Sequence, residues 1–279
     1  MMQIPEGNRQ SNVDRFSGYK DLYDQHRPRA PREAVRILTG YLRHKPRLVL
    51  DVGCGTGLST FAWKNDAETI VGIEPNDDMR SKAEEKLRAL QAEDADAGRI
   101  RFLSGYSNKL EFPDDSADLI TCSQSFHWME PVSTLAEAAR VLKPGGIFAA
   151  YDCDWPPSAS WEAEQAYMEL LNKADQLLKE RQNKQDQAYK RDKESHLACI
   201  QQSGHFRYAR EIVFHNRETC DSKRYIGLAL SQGGLQTVIK LGFTDLDDEL
   251  ERFQALVKEY FQDRTLETLF SYRMRIGIK

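Results

Sequence analysis

The spacing of apolar residues along this chain switches between two patterns, and the switches mark out its elements. Short apolar runs recur at residues 49–52, 69–73, 100–103, 119–122 and 147–150, each leading into a polar or glycine-rich turn. Such near-continuous runs are expected of strands covered on both faces. Between them the period lengthens. Met79, Ala83, Leu87 and Leu90 repeat at helical spacing, as do Val132, Leu135, Ala136, Ala139 and Leu142, whose helix is expected to stop at Pro144. Residues 58–62 are expected to open a helix after the first run. Beyond residue 151, residues 161–199 read as one long helix or two, with Trp161, Met168, Leu171 and Leu178 near one face. The charged, glutamine-rich stretch 179–194 reads as a solvated helix face. Residues 209–215, centred on Ile212-Val213-Phe214, and 270–278 read as a closing pair of strands. Between them, residues 220–264 form an insertion with a helix over 224–231. A second helix there is capped by Thr244, with Asp247 three residues on, and carries Leu246, Leu250, Phe253, Val257 and Phe261. At the other end, residues 1–12 are polar and expected to fray. Phe16, Tyr19, Tyr23 and His26 then share a face of a short helix that ends at 27–31.

The chemistry is concentrated at the ends of the first two strands. Gly53, Gly55 and Gly57 follow Asp51-Val52 at alternate positions, alongside Cys54. Glycine admits positive φ and leaves room for a ligand to touch backbone, and the free amides of a following helix would face that ligand. A dinucleotide loop spaces its glycines G-x-G-x-x-G. Here Leu58 stands where the third glycine belongs, and Asp51 would repel a pyrophosphate but suit a cation such as the amino end of methionine. Glu74 ends the second run near the distance at which an acid binds ribose hydroxyls. The alternative role, an acid leading the next helix, is already filled by Asp77 and Asp78. Met79, in that helix's first turn, is placed to cover an adenine.

Four features in order, namely residues 47–60, Glu74, the loop 110–118 before the fourth strand and the run Leu142-Lys143-Pro144-Gly145-Gly146, resemble the class I S-adenosylmethionine (SAM) dependent methyltransferases. The resemblance covers roughly residues 16–151, with a weaker match at the C-terminus. The pattern of Phe16, Ser17, Tyr23, Arg27 and Pro28 resembles the lid of small-molecule methyltransferases similar to trans-aconitate methyltransferase. The resemblance implies an α/β fold with a Rossmann-like, doubly wound, mostly parallel seven-stranded sheet whose last strand is antiparallel, plus helical caps. It implies SAM as methyl donor and S-adenosylhomocysteine as product. The implied cofactor set is Tyr23, Arg27, Asp51, Gly53, Cys54, Gly55, Gly57, Glu74, Pro75, Met79, Tyr106, Ser107, Ser123 and Gln124. Tyr106 and Ser107 stand where the family often has an acid and a small residue. Tyr23 and Arg27 would reach the methionine carboxylate, a planar guanidinium suiting that group. Tyr19, His127, Trp128 and Tyr225 are the substrate-side residues. His127 is the candidate base, with a packing or orienting histidine as the other reading. A carboxylate acceptor, as in the trans-aconitate group, would need no base; an amine or hydroxyl usually would.

Composition narrows the rest. The 279 residues carry a net charge of −4 with no basic block, so no nucleic-acid partner is expected. No apolar run would span a bilayer and no signal-peptide pattern is seen. The five cysteines form no C-x-x-C pair and read as reduced thiols of a cytoplasmic protein. His196, His205 and His215 lack metal-ligand spacing, so no metal is expected. The chain reads as one domain, 1–279, with a lid at 13–30 and caps at 153–205 and 220–265. Its function reads as methyl transfer to a small molecule. The alternatives are a SAM-binding module without catalysis and an NAD-dependent oxidoreductase, which the glycine spacing disfavours.

Overall fold

The computed structural model describes residues 6–279. Seven strands form one sheet: β1 (Leu48–Val52), β2 (Thr69–Ile73), β3 (Ile100–Leu103), β4 (Ala117–Ser123), β5 (Leu142–Cys153), β6 (Tyr208–Cys220) and β7 (Leu266–Ile278). Their order is β3-β2-β1-β4-β5-β7-β6, with β7 antiparallel to both its neighbours. Alternate residues supply two cores. Val49, Ile70, Leu119 and Ala149 face one layer; Leu50, Val71, Ile120 and Phe148 face the other. The order reverses between β1 and β4, so the carboxyl ends of β1, β2 and β4 diverge and leave the crevice in which open α/β sheets bind ligands.

The helices are α1 (Gln10–Asp14), α2 (Lys20–His26), α3 (Arg32–Leu42), α4 (Asp77–Glu93), α5 (Pro131–Val141), α6 (Trp161–Arg181), α7 (His196–Gln202), α8 (Ser222–Leu230), α9 (Gly233–Lys240) and α10 (Asp247–Phe261). Asn76 caps α4 by accepting from the Met79 amide, and Asp221 caps α8. Helices α8, α9 and α10 pack with α6 and α2 above the strand ends.

Several expectations are corrected. After the glycine loop only a single 3-10 turn forms, Thr60–Trp63, because the Ser59 and Thr60 hydroxyls turn inward to Asp51 and compete with regular helix geometry. Helix α5 ends at Val141. Leu142 is already extended and pairs with Ala117, while Val132 faces solvent and Thr134, Leu135 and Ala138 are buried. Helix α6 buries Ala163, Tyr167, Leu170, Ala174 and Leu177 and leaves Trp161 and Met168 exposed; alanines at the contact let the neighbouring helices approach. Residues 179–194 are mostly exposed, as a solvated face would be, but they are not one helix. The helix stops at Arg181, and the following segment crosses the site as a strap. Helix α10 starts after Leu246 without a side-chain cap, and Thr244 contributes only its carbonyl to the preceding turn. Fraying at the N-terminus does not extend to residue 12. Residues 1–5 lie outside the described residues, but α1 forms and Asn12 is buried.

Gly72 lies where β2 passes under the loop; a Cβ there would meet Phe102 Cδ1 at 2.5 Å and Cys54 Sγ at 2.8 Å. Gly72→Ala is expected to cost about 1–3 kcal/mol of stability by overpacking, read as a lower urea midpoint. An unchanged midpoint would show that Phe102 yields freely.

Candidate active site

The crevice is built on two buried carboxylates. Asp51, at the end of β1, accepts from Ser59 Oγ (2.5 Å) and Thr60 Oγ1 (2.7 Å) on one oxygen and from Thr121 Oγ1 (2.9 Å) on the other. Burial pushes its carboxyl up, and the three hydroxyls pull it back. It faces no ligand space, which corrects the expectation of a direct contact; its role in the fold is to tie the loop to β1 and β4. Gly57 is also turned away, packed against Phe61 and Phe102.

Glu74 follows the end of β2. Its Oε2 accepts from the Gly55 amide (2.8 Å) and its Oε1 from the Asn76 amide (2.9 Å). Burial raises its pKa to about 7 despite those amides. Around it the crevice is lined by Gly53, Cys54, Gly55, Pro75, Met79, Tyr106, Ser107, Ser123 and Gln124, with Tyr23 and Arg27 from the lid. Ser107 shares a hydrogen bond with Thr134 (2.7 Å). Cys54 is buried and its thiol is pushed up well above its ordinary range, chiefly by burial. Gly55 has φ +56°, and a Cβ there would meet no atom within 4 Å, so only a residue without one leaves that space open.

The lid is held from beneath. Asn76 Nδ2 donates to Val13 O (2.8 Å) and Ser17 Oγ (2.9 Å), and the Gly18 amide donates to Asp78 (2.7 Å). Asn12 then joins the lid to the strap: its Nδ2 donates to Trp128 O and Tyr189 O, and its Oδ1 accepts from the Tyr189 amide. None of these asparagine contacts carries a sequence motif.

A second cavity adjoins the first through Phe16, Tyr23, Arg27, Gln124 and Trp128, which line both. Arg27 Nη2 donates to Ser231 O (3.0 Å) and Gln232 Oε1 (2.8 Å), and its guanidinium lies between the Tyr23 and Trp155 rings. Gln124 is held at φ +53° at the junction. His127 lines the second cavity with Lys190 and Lys193. Two expected substrate residues do not line either. Tyr225 is fully buried among the cap helices with its hydroxyl given to Pro157 O (3.0 Å), and Tyr19 packs behind Tyr23 under the Lys240 ammonium.

Linear spacing holds no hint of the cluster behind His127. Asp152, near the end of β5, lies 3.3 Å from His127 Nδ1, 2.9 Å from Lys193 Nζ and 3.5 Å from His196 Nδ1. Burial works against its charge, yet Lys193 and the two histidines hold its carboxyl well below the ordinary range. His127 is pushed down to about 3 by burial, against the pull of Asp152. The three residues bring ligand atoms within 4.8 Å of one another, which linear spacing could not reveal. The Lys193 ammonium already supplies the positive charge that Asp152 would otherwise seek from a metal ion.

Residues 50–150 match the family described as a methyltransferase domain. That segment carries the chain's likeness to the methyltransferases. It is 34% identical over 139 residues to an uncharacterized methyltransferase of Schizosaccharomyces pombe, covering 48% of this chain and 49% of that protein. It is 31% identical over 145 residues to the uncharacterized methyltransferase YcgJ of Bacillus subtilis, covering 51% and 55%. The chain thus spans about half the length of the curated relatives it matches. The solved YcgJ structure matches 89% of this chain and 99% of its own at a TM-score of 0.54 and 18% identity. The phosphoethanolamine N-methyltransferase 2 of Haemonchus contortus, solved with S-adenosylhomocysteine, matches 99% of this chain and 61% of its own at 0.54 and 14%. The [4+2]-cyclase SpnF matches 98% of each at 0.53 and 17%, so the shared architecture alone does not specify the reaction. The domain match sets the oxidoreductase reading aside. The methyltransferase domain's glycine loop depends on Asp51: Asp51→Ala would strand three buried hydroxyls and is expected to cost about 1–3 kcal/mol in urea unfolding. A neutral effect would mean that those hydroxyls find other partners.

Proposed function

We propose that this chain binds SAM in the crevice and transfers its methyl group to a small-molecule acid in the adjoining cavity. Glu74 carries the reading. Each of its oxygens is anchored by one backbone amide and keeps capacity for a further donor, which suits the paired hydroxyls of a ribose. Gly53 and Gly55 give the nucleoside backbone to lie against, Met79 and Tyr106 stand at the adenine side, and Tyr23 and Arg27 at the methionine side. When bound, SAM supplies a methyl already activated on a sulfonium. This chain's residues then have to align the acceptor and exclude water. Alignment of that kind is worth about 7–11 kcal/mol when reacting atoms are held near contact.

The charge of the second cavity supports an acidic acceptor, as the resemblance to the trans-aconitate group also suggests. Arg15, Arg27, Lys179, Lys190, Lys193 and Lys240 line it against Asp14, Asp175 and Asp186. Burial lowers the pKa of Arg15, a cation whose charge an anionic guest would relieve. Trp128 and Trp155 add apolar walls. Incubation with methyl-labelled SAM and a panel of small carboxylic acids, read by mass spectrometry, tests the reading. Tight SAM binding with no labelled product from any acid would favour a binding module instead.

Glu74 gives a sharper check. Ribose hydroxyls donate to its ionised form, so SAM binding should release a proton near pH 7, and affinity should fall as pH drops below 7. In the free protein the sign is opposite: an acid raised to about 7 favours folding below its unfolded pKa and loses that contribution as pH rises through 7. Glu74→Ala should weaken SAM binding by about 1–3 kcal/mol and abolish the proton release, both measured by calorimetry in buffers of different ionisation enthalpy. Wild-type binding without proton release would place the ribose elsewhere.

A further inference from the structure

The His127–Asp152 pair lies at the wall of the acceptor cavity, and its orientation bears on which atom is methylated. His127 is 4% exposed, on the 3-10 turn Phe126–Trp128 after β4. Its Nδ1 lies 3.3 Å from Asp152 Oδ1 without the alignment of a hydrogen bond, so both atoms are buried with no hydrogen-bond partner; catalytic contacts of this kind tighten when a site is filled. Nε2 makes no hydrogen bond to a described residue and, unlike Nδ1, is not sealed. The charged groups facing the ring act in opposite directions. Asp152 on β5 is the anion on the Nδ1 side. Lys190 and Lys193 of the strap oppose a positive charge on the resting ring, His196 of α7 stacks near it, and Arg275 of β7 lies behind Asp152, paired with Glu211 and Glu194. A neutral imidazole donating from Nδ1 to a carboxylate has its lone pair on Nε2.

We infer that Asp152 positions His127 so that Nε2 accepts a proton from the acceptor, and hence that the methylated atom is a proton-bearing oxygen or nitrogen of the acid, not its carboxylate. The inference rests on the methyltransferase reading of the preceding section. In the step, the acceptor's lone pair forms the bond to the methyl carbon and the carbon–sulfur bond breaks with its electron pair passing to sulfur. The acceptor's proton passes to Nε2, and the imidazolium charge is met by Asp152. A carboxylate oxygen would present no proton to Nε2 and would instead meet its lone pair.

The first test needs no acceptor. Long-range nitrogen–proton NMR of the full labelled chain with S-adenosylhomocysteine should show His127 neutral and protonated on Nδ1 from about pH 5.5 to 8.5, well above its lowered pKa. Asp152→Asn should move that proton to Nε2. The second test pairs 4-hydroxybenzoate with benzoate and uses labelled SAM. Methyl should appear on the hydroxyl of the first and not on the second. Asp152→Asn should lower kcat by about 100-fold, the scale of a lost proton transfer, with KM for SAM unchanged. The loss should recover about tenfold per pH unit as the hydroxyl ionises, a rescue that a merely structural defect would not show. Wild-type His127 protonated on Nε2, stoichiometric zinc binding through His127 and His196, or methyl esters from both acids would each overturn the inference. The last result would leave the methyltransferase reading standing; loss of SAM binding in the wild type would remove both.

Discussion

A carboxylate buried at the end of a strand is costly unless donors surround it, and this site rests on two of them. Asp51 is satisfied entirely from within, by hydroxyls of the loop that follows it and of the neighbouring strand. It therefore braces. Glu74 is satisfied only in part, by two backbone amides that fix its direction. It therefore has something left to offer. The same chemical group, one residue from the tip of β1 and one beyond the tip of β2, becomes scaffold in one place and recognition element in the other. The difference is set by how many donors the fold supplies. Burial raises Glu74 to about 7, and its two amides only partly offset that rise.

The rest of the molecule closes over these two groups. Asn76 caps α4 with its oxygen and holds the lid with its nitrogen, so the helix that carries Met79 and the segment that carries Tyr23 and Arg27 are fixed by one side chain. Asn12 does the same between lid and strap. Because Arg191 of the strap donates its amide to His127 O and its Nε to Met129 O, the strap also holds the turn that carries His127. Crevice and second cavity consequently share one wall, built from the lid and the turn after β4.

The fold was largely legible from periodicity and punctuation. β1 to β4 lie close to the apolar runs that announce them, and the glycine loop and Glu74 stand at the strand ends, whereas Pro144-Gly145-Gly146, which reads as a turn, lies inside β5 with Gly145 at φ +82°. Errors clustered where bulk was taken for burial. Trp161, Met168 and Val132 look like core and face water, while Ala163 and Ala174 do the packing. Charge and glutamine in the strap point to solvent, and most of it is exposed, yet it also supplies the Tyr189 carbonyl to Asn12 and lysines to the second cavity. Asp51 and Tyr225 were assigned to ligands by type and position alone, and both are used up internally. Asp152 and His196 could not be found from spacing, since β5, the strap and α7 bring them together only in three dimensions.

On the proposed reaction, electrostatics also favours release of products. With SAM bound, a sulfonium would lie beside a lining in which cations exceed anions, and both would attract an anionic acceptor. After transfer the sulfur is neutral, and the proton moved to His127 is countered by Asp152, which is already beside Lys193. The attraction that gathered the reactants is thus weakened by the chemistry itself. The groups that remain charged, Arg15, Lys190 and Lys193, are those positioned to receive the next acid.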